Sequence, residues 1–182
     1  MSPDSSMHGA GSGDRGRAAV IVVSTQASRD VALDTTGPVI TAWLRERGFS
    51  LDSAVIVADG GPIAEIVAAE LAGGARVVIS TGGTGVTPSD RTPEAVGPFI
   101  DLEIPGIIEE LRRRGTDVGV RSLLTRGVAG LGAGGAFLVT LPGSRGGVRD
   151  GLDIIDGLLD HLLAQVEGEG HAPRGQRTGE SA

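Results

Sequence analysis

Three stretches of this chain carry residue types at spacings that could do chemistry. Asp59 precedes Gly60 and Gly61; Thr81-Gly82-Gly83-Thr84-Gly85 follows an apolar, β-branched run and leads to Asp90-Arg91; Leu141-Pro142-Gly143-Ser144-Arg145 closes another apolar run. Glycines at 82, 83 and 85 let backbone N–H groups converge without Cβ obstruction, as in loops that cradle an anion at a strand-to-helix turn. Thr92, Pro93 and Glu94 then read as the N-cap and first turn of a helix. Two carboxylates from neighbouring strand ends could share a Mg²⁺ bridging nucleotide phosphates, an ion that prefers few carboxylates plus phosphate oxygens. Ser144 reads as the cap of the helix behind it, whose N-terminus attracts an anion, and Arg145 adds charge there. The combination points to phosphate chemistry. Each part also has a plainer reading: a tight turn at the glycines, Asp59 as cap of a helix starting near Pro62, and Asp90 satisfying the amides of its own loop. The glycines are not a Walker A loop, which needs Gly-Lys-Ser/Thr, nor a dinucleotide fingerprint, because Pro88 stands where the last glycine should be.

The absent residue types narrow the chemistry further. The 182 residues include no Cys and no Tyr, and all 16 basic side chains are Arg. Disulfides, a thiolate nucleophile, a Schiff base and a lysine base are thereby excluded. His8 and His171 fall in tail-like composition, and His161 lies in a helical leucine pattern where a structural role fits. Aromatic content of 2% argues against base stacking and aromatic cages as the means of binding. A net charge of −7 argues against non-specific nucleic-acid binding, so Arg112-Arg113-Arg114 reads as a solvated face or as anchors for the acidic surface. No apolar run reaches the length of a membrane span, and the first residues are Gly-, Ser- and Asp-rich rather than a signal peptide. The expectation is a soluble, cytoplasmic protein with no nucleic-acid or membrane partner.

The elements that must position these residues can be read in order. Residues 1–17 and 168–182 have the composition of flexible tails, leaving one domain over 18–167. A continuous apolar run at 18–25, of the kind buried on both faces of a parallel sheet, and strand-length segments at 51–58, 75–80 and 136–140 predict strands. Helices are predicted over 34–47, 63–71, 92–100 and 104–114, and one long amphipathic helix follows Ser144. The stretch 121–130 is ambiguous, with a strand near 123–126. Alternating strands and helices predict an α/β fold: a mostly parallel sheet between two helix layers, with right-handed crossovers. Ligands of such sheets bind beyond the strand carboxyl ends, where all three loops fall.

Taken together, Thr81-Gly82-Gly83-Thr84-Gly85, Asp90-Arg91-Thr92-Pro93-Glu94, Ile104-Pro105-Gly106 with Glu109 and Arg112, and Leu141-Pro142-Gly143-Ser144 resemble the Mog/MoaB family of molybdenum cofactor biosynthesis proteins. The likeness spans residues 18–166, and four motifs in order are far more specific than any one. The domain is also similar to the molybdopterin-binding module of MoeA and CinA proteins, which are longer chains. The resemblance implies a three-layer αβα molybdopterin-binding fold and adenylylation of molybdopterin by Mg-ATP, with release of pyrophosphate. It implies catalytic and metal-linked roles for Asp59 and Asp90, and nucleotide or phosphate binding by Thr81, Gly82, Gly83, Thr84 and Gly85. It implies a pterin side formed by Thr125, Arg126, Thr140, Pro142, Gly143, Ser144 and Arg145. The family often has Asn where Thr140 stands, Ser where Thr125 stands, and a lysine shortly after the Leu-Pro-Gly motif, where this chain has Arg145-Gly146-Gly147. The implied ligands are Mg²⁺, ATP and molybdopterin. The implied partners are further copies of the chain, as a trimer or hexamer, and a molybdenum-inserting MoeA-type enzyme. The alternative within the same resemblance is a non-catalytic MoaB-type protein that keeps the pocket and acts through partners.

Overall fold

A computed structural model describes residues 15–168; the remaining expected tail residues, with His8 and His171, lie outside the described residues. Six strands form one sheet: β1 (Arg17–Val23), β2 (Val55–Val57), β3 (Ala75–Thr81), β4 (Leu102–Glu103), β5 (Ala129–Leu131) and β6 (Phe137–Leu141). Their order is β2-β1-β3-β6-β5-β4. The first four in that order are mutually parallel, while β5 runs antiparallel to β6 and β4 antiparallel to β5. The expected α/β class and mostly parallel sheet are borne out.

Alternation along the central strands decides which helix layer each side chain meets. Ala18, Val20 and Val22 of β1 pack with Ile40 and Leu44 of α1 (Gly37–Glu46), Ile108 of α4 (Pro105–Thr116) and Ile155 of α5 (Arg145–Asp156). Ala19, Ile21 and Val23 face the other way, toward Ile63 and Val67 of α2 (Ile63–Ala72) and Val96 of α3 (Thr92–Val96). A strand buried on both faces must be apolar throughout, which is why these runs are readable in sequence. Each buried Val, Ile or Leu among them contributes about 2 kcal/mol by leaving water.

Four expected elements differ. The helix after Ser144 is two helices, α5 and α6 (Leu159–Val166), because Gly157 caps the first and Leu158 leaves helical geometry. Residues 92–100 form only the short α3 before a 3₁₀ turn at Gly97–Phe99, where Gly97-Pro98 ends regular helical bonding. The strand expected near 123–126 is a 3₁₀ turn, Val120–Leu124, and the strand lies later, at β5. Gly130 explains the displacement: a Cβ there would stand 2.3 Å from the Leu102 carbonyl oxygen, so small residues rather than β-branched ones make that ladder. Lastly, β2 covers only Val55–Val57 of the predicted 51–58 run.

Helices α4 and α5 are clasped by charge. Glu110 accepts from Arg113 and Arg114, and Arg114 reaches Asp153 of α5. These guanidinium hydrogen bonds pull the Glu110 carboxyl down to about 2. A depressed carboxylate stabilises the fold above its ordinary value, and that contribution disappears as pH falls through the folded value. Glu110→Gln is therefore expected to reduce the loss of urea stability between about pH 5 and about pH 2, compared with the unaltered chain. Among the described residues no helix is long and apolar enough to cross a membrane.

Candidate functional site

The sheet reverses its winding between β1 and β3, which are neighbours while β2 lies on the far side of β1. Ligands of open α/β sheets sit beyond the carboxyl ends of the strands at such a reversal. The glycine loop starts there, and its backbone follows from steric necessity. Gly82 has φ +93° and Gly83 φ +61°. A Cβ on Gly82 would lie 2.1 Å from the carbonyl oxygen of Val23, the last residue of β1. Thr92, expected as a helix cap, instead lies in the first turn of α3 and is fully buried; its hydroxyl donates to the Gly82 carbonyl at 2.8 Å and its N–H to the Gly83 carbonyl at 3.1 Å. The cap position belongs to Arg91, without a side-chain bond.

The Leu141-Pro142-Gly143 loop is laced to the glycine loop, because Thr81 and Leu141 are register partners of β3 and β6. The Gly82 N–H donates to the Leu141 carbonyl at 3.0 Å and the Thr81 hydroxyl to the Pro142 carbonyl at 2.8 Å. A Cβ on Gly143 would come within 3.2 Å of the Gly82 Cα. Ser144 caps α5 as expected, accepting from the Gly147 N–H at 3.1 Å. Among the described residues, the N–H groups of Gly83, Thr84 and Gly85 have no protein acceptor.

A cavity of about 670 Å³ opens beside this double loop. It brings together Thr84, Gly85, Thr125, Pro142 and Ser144 from the predicted set, with Gly146 and Gly147 behind them. Thr125 donates its hydroxyl to that of Thr84 at 3.2 Å, and Arg112 of α4 fixes the Thr125 carbonyl at 2.9 Å. Asp59, Thr81, Gly82, Gly83, Asp90, Arg126, Thr140, Gly143 and Arg145 do not line that cavity. Thr140 is fully buried, and its hydroxyl bonds the N–H of Val128 at 2.8 Å, tying β6 to the chain beside it. Arg145 is exposed at the start of α5, with no ion pair among the described residues.

The two acids do not come from neighbouring strand ends as expected: β1 lies between β2, which Asp59 follows, and β3, which leads to the Asp90 loop, and each acid has its own surroundings. Asp59 does not cap α2; its Oδ2 accepts the N–H and hydroxyl of Thr25 at 3.1 and 2.7 Å, while its own N–H returns a bond to the Thr25 hydroxyl at 3.2 Å. Thr25 follows β1, so it links the loops of β1 and β2; sequence reasoning missed it, although a hydroxyl at the end of the switch-point strand was a signal. Asp90 staples its loop, accepting the Thr87 N–H at 2.9 Å and hydroxyl at 2.6 Å. It also abuts the glycine loop: a Cβ on Gly85 would be 2.8 Å from its Oδ2. Among the described residues no three His, Asp or Glu side chains cluster to hold a metal on their own. The donors here are all oxygen, which suits Mg²⁺ delivered with substrate phosphates rather than a nitrogen- or sulfur-bound metal.

Arg126 joins these parts. Its Nε donates to the Gly85 carbonyl and its Nη2 to the Asp90 carbonyl, both at 2.6 Å, while Nη1 pairs with Glu94 of α3. Hydrogen bonding from Arg126 holds the Glu94 carboxyl below the usual carboxylate value. The guanidinium is thus engaged on every nitrogen, between the glycine loop and α3. Arg126→Met is expected to destabilise the fold by about 2 kcal/mol in urea unfolding, and Arg126→Lys to restore little, since an ammonium cannot span three separate acceptors.

The family described as "Probable molybdopterin binding domain" matches residues 19–161. The "Molybdenum cofactor biosynthesis bifunctional protein" of Synechococcus elongatus is 38% identical over 155 residues, 85% of this chain and 48% of that one. The chain spans about half the length of the bifunctional relatives it matches. The "Molybdopterin adenylyltransferase" of Pyrococcus furiosus is 33% identical over 148 residues, covering 79% of this chain and 87% of that one. The solved molybdopterin biosynthesis Mog protein from Mycobacterium ulcerans superposes with a TM-score of 0.77 at 41% identity, covering 82% of this chain and 99% of its own.

Proposed function

Because this chain belongs to the Mog/MoaB family of molybdenum cofactor biosynthesis proteins, we propose that it is a molybdopterin adenylyltransferase. The observation that carries the reading is the trio of N–H groups at Gly83, Thr84 and Gly85, without an acceptor among the described residues, at the switch point of the sheet. Three successive amides left without a protein acceptor among the described residues, in a loop tethered by Thr92 and Arg126, can serve as donors to a phosphate. The name of the Pyrococcus relative supports the same chemistry.

In this reaction a terminal phosphate oxygen of molybdopterin attacks the α-phosphorus of ATP. A new P–O bond forms, the bond to the β-phosphate bridging oxygen breaks, and pyrophosphate leaves. The nucleophile is already anionic, so the lack of Cys, Lys and Tyr is no obstacle; transfer depends on positioning and charge stabilisation. Thr84 and Gly85 orient phosphate oxygens from the loop. Thr125, Pro142, Gly143 and Ser144 hold the pterin side, with Arg145 at its edge supplying positive charge. Asp59 and Asp90 would hold Mg²⁺ together with the phosphates, and the ion when bound neutralises charge on the pyrophosphate leaving group. Thr25 and Thr87 fix the two acids in place.

Calorimetric titration with Mg-ATP tests the nucleotide half. Saturable binding is expected, weakened when Mg²⁺ is withheld; absence of nucleotide binding contradicts the reading and favours a non-catalytic binding protein. The same kinship supports a homo-oligomer, trimer or hexamer, in the cytoplasm, and delivery of product to a molybdenum-inserting MoeA-type enzyme. Light scattering on the purified chain tests the first of these.

A further inference from the structure

The cavity beside the glycine loop has an end that the reading above leaves without a role. There α5 turns Gly146, Gly147 and Asp150 toward it, residues spaced so that Asp150 stands three and four positions beyond the glycines on one helical face. The other face of α5, with Val148, Leu152 and Ile155, is buried in the core. The facing wall is Leu111 of α4 with Val118, Val120 and Leu124 from the segment after it. These last three are exposed at 92%, 75% and 54%, so an apolar wall stands open to water where a flat ring could cover it.

Two features of α5 have no explanation within the protein itself. Gly146 does not have positive φ, and a Cβ there would meet nothing within 4 Å, so neither backbone nor packing requires the glycine that weakens this helix. Asp150, half-buried, makes no hydrogen bond or ion pair among the described residues; Arg114 is already taken by Glu110 and Asp153. A slot floored by bare helix backbone, walled by aliphatic side chains and ended by a free carboxylate suits a planar heterocycle with two adjacent N–H donors.

We propose that Asp150 reads the 2-amino-4-oxo edge of the pterin, accepting the ring N3–H and the 2-amino N–H with its two oxygens, while the pterin ring lies on the Gly146–Gly147 face under Val118, Val120 and Leu124. Paired N–H···O bonds to a carboxylate are both stronger and more selective than single neutral ones. Adenine presents an amino group beside a ring acceptor, which a carboxylate repels, so this end selects the pterin and directs the nucleotide to the glycine loop. Ser144 and Asp150 are about 9 Å apart along the helix axis, a span comparable to the long axis of a fused three-ring pterin. The inference rests on molybdopterin being the substrate.

The test is titration of the full chain with two probes that differ at one position, pterin (2-amino-4-oxopteridine) and lumazine (2,4-dioxopteridine), followed by fluorescence or calorimetry. The unaltered chain is expected to prefer pterin by about tenfold or more, the scale of one charged hydrogen bond. Asp150→Asn is expected to lose or invert that preference, because its amide can donate to the 2-oxo group of lumazine. Gly146→Leu is expected to weaken both probes while leaving the melting temperature unchanged or higher. If the unaltered chain binds pterin and Asp150→Asn keeps the same preference, the assignment of Asp150 is overturned and the proposed function is untouched. Undiminished binding by Gly146→Leu overturns the glycine floor. If neither probe binds although Mg-ATP does, the pterin half of the proposed function falls, and this inference with it.

Discussion

Asp59→Asn and Asp90→Asn are each expected to lower adenylyl transfer by about a hundredfold or more while the fold survives, the usual consequence of removing charge from an electrostatically organised site. The substitution is well matched to the geometry. The side-chain amide introduced by Asp59→Asn would keep a carbonyl oxygen able to accept from the Thr25 N–H and hydroxyl. The amide introduced by Asp90→Asn would likewise keep one able to accept from Thr87. What disappears is the negative charge of each carboxylate, which for Asp90 stands beside Gly85 of the phosphate loop. Steady-state kinetics on both variants, with urea unfolding midpoints measured alongside, separate the effects: a large fall in kcat with an unchanged midpoint fits metal-linked acids. Normal turnover in both variants would remove the two acids from the chemistry and leave them as loop staples for Thr25 and Thr87.

The second large effect is structural. Gly82→Ala places a methyl group 2.1 Å from the Val23 carbonyl oxygen at a residue with φ +93°. The obstacle is backbone of the central strand, which has no rotamer by which to yield. The expected cost is about 3 kcal/mol or more, combining left-handed strain with displacement of the β1 end. Urea unfolding measures it, and nucleotide binding should fall in the protein that still folds, because the Thr92 hydroxyl bond to the Gly82 carbonyl would be displaced with the loop. An unfolding midpoint equal to that of the unaltered chain would contradict the loop geometry.

These effects show which parts of the molecule the sequence made legible. The central strands were readable because burial on both faces requires unbroken apolar runs, as in residues 18–23 and 77–79. The antiparallel edge was not: β4 and β5 are two and three residues long, and Gly130 is dictated by the approach of the Leu102 backbone, a long-range demand with no local signature. The split between α5 and α6 turns on Gly157 inside an otherwise continuous apolar stripe. At the site, the glycine loop and the Ser144 cap were legible in local pattern, whereas Thr125, which meets Thr84, was expected there only through the family resemblance. The partners of the predicted residues do not. Thr140 points into the β6–Val128 contact rather than a cavity, Thr92 supports the loop instead of capping a helix, and Arg126 is engaged by carbonyls that no spacing rule reveals. Thr25 meets Asp59 across a chain separation for which a single sequence has no periodic signal.

The account rests on one claim, that this chain joins AMP to a pterin phosphate. Incubation of the purified protein with molybdopterin and Mg-ATP tests it most directly, with mass detection of the pterin product and assay of pyrophosphate. Adenylyl-molybdopterin and pyrophosphate in equal amounts, both dependent on Mg²⁺, are the predicted result. Binding of both substrates with neither product formed would contradict it.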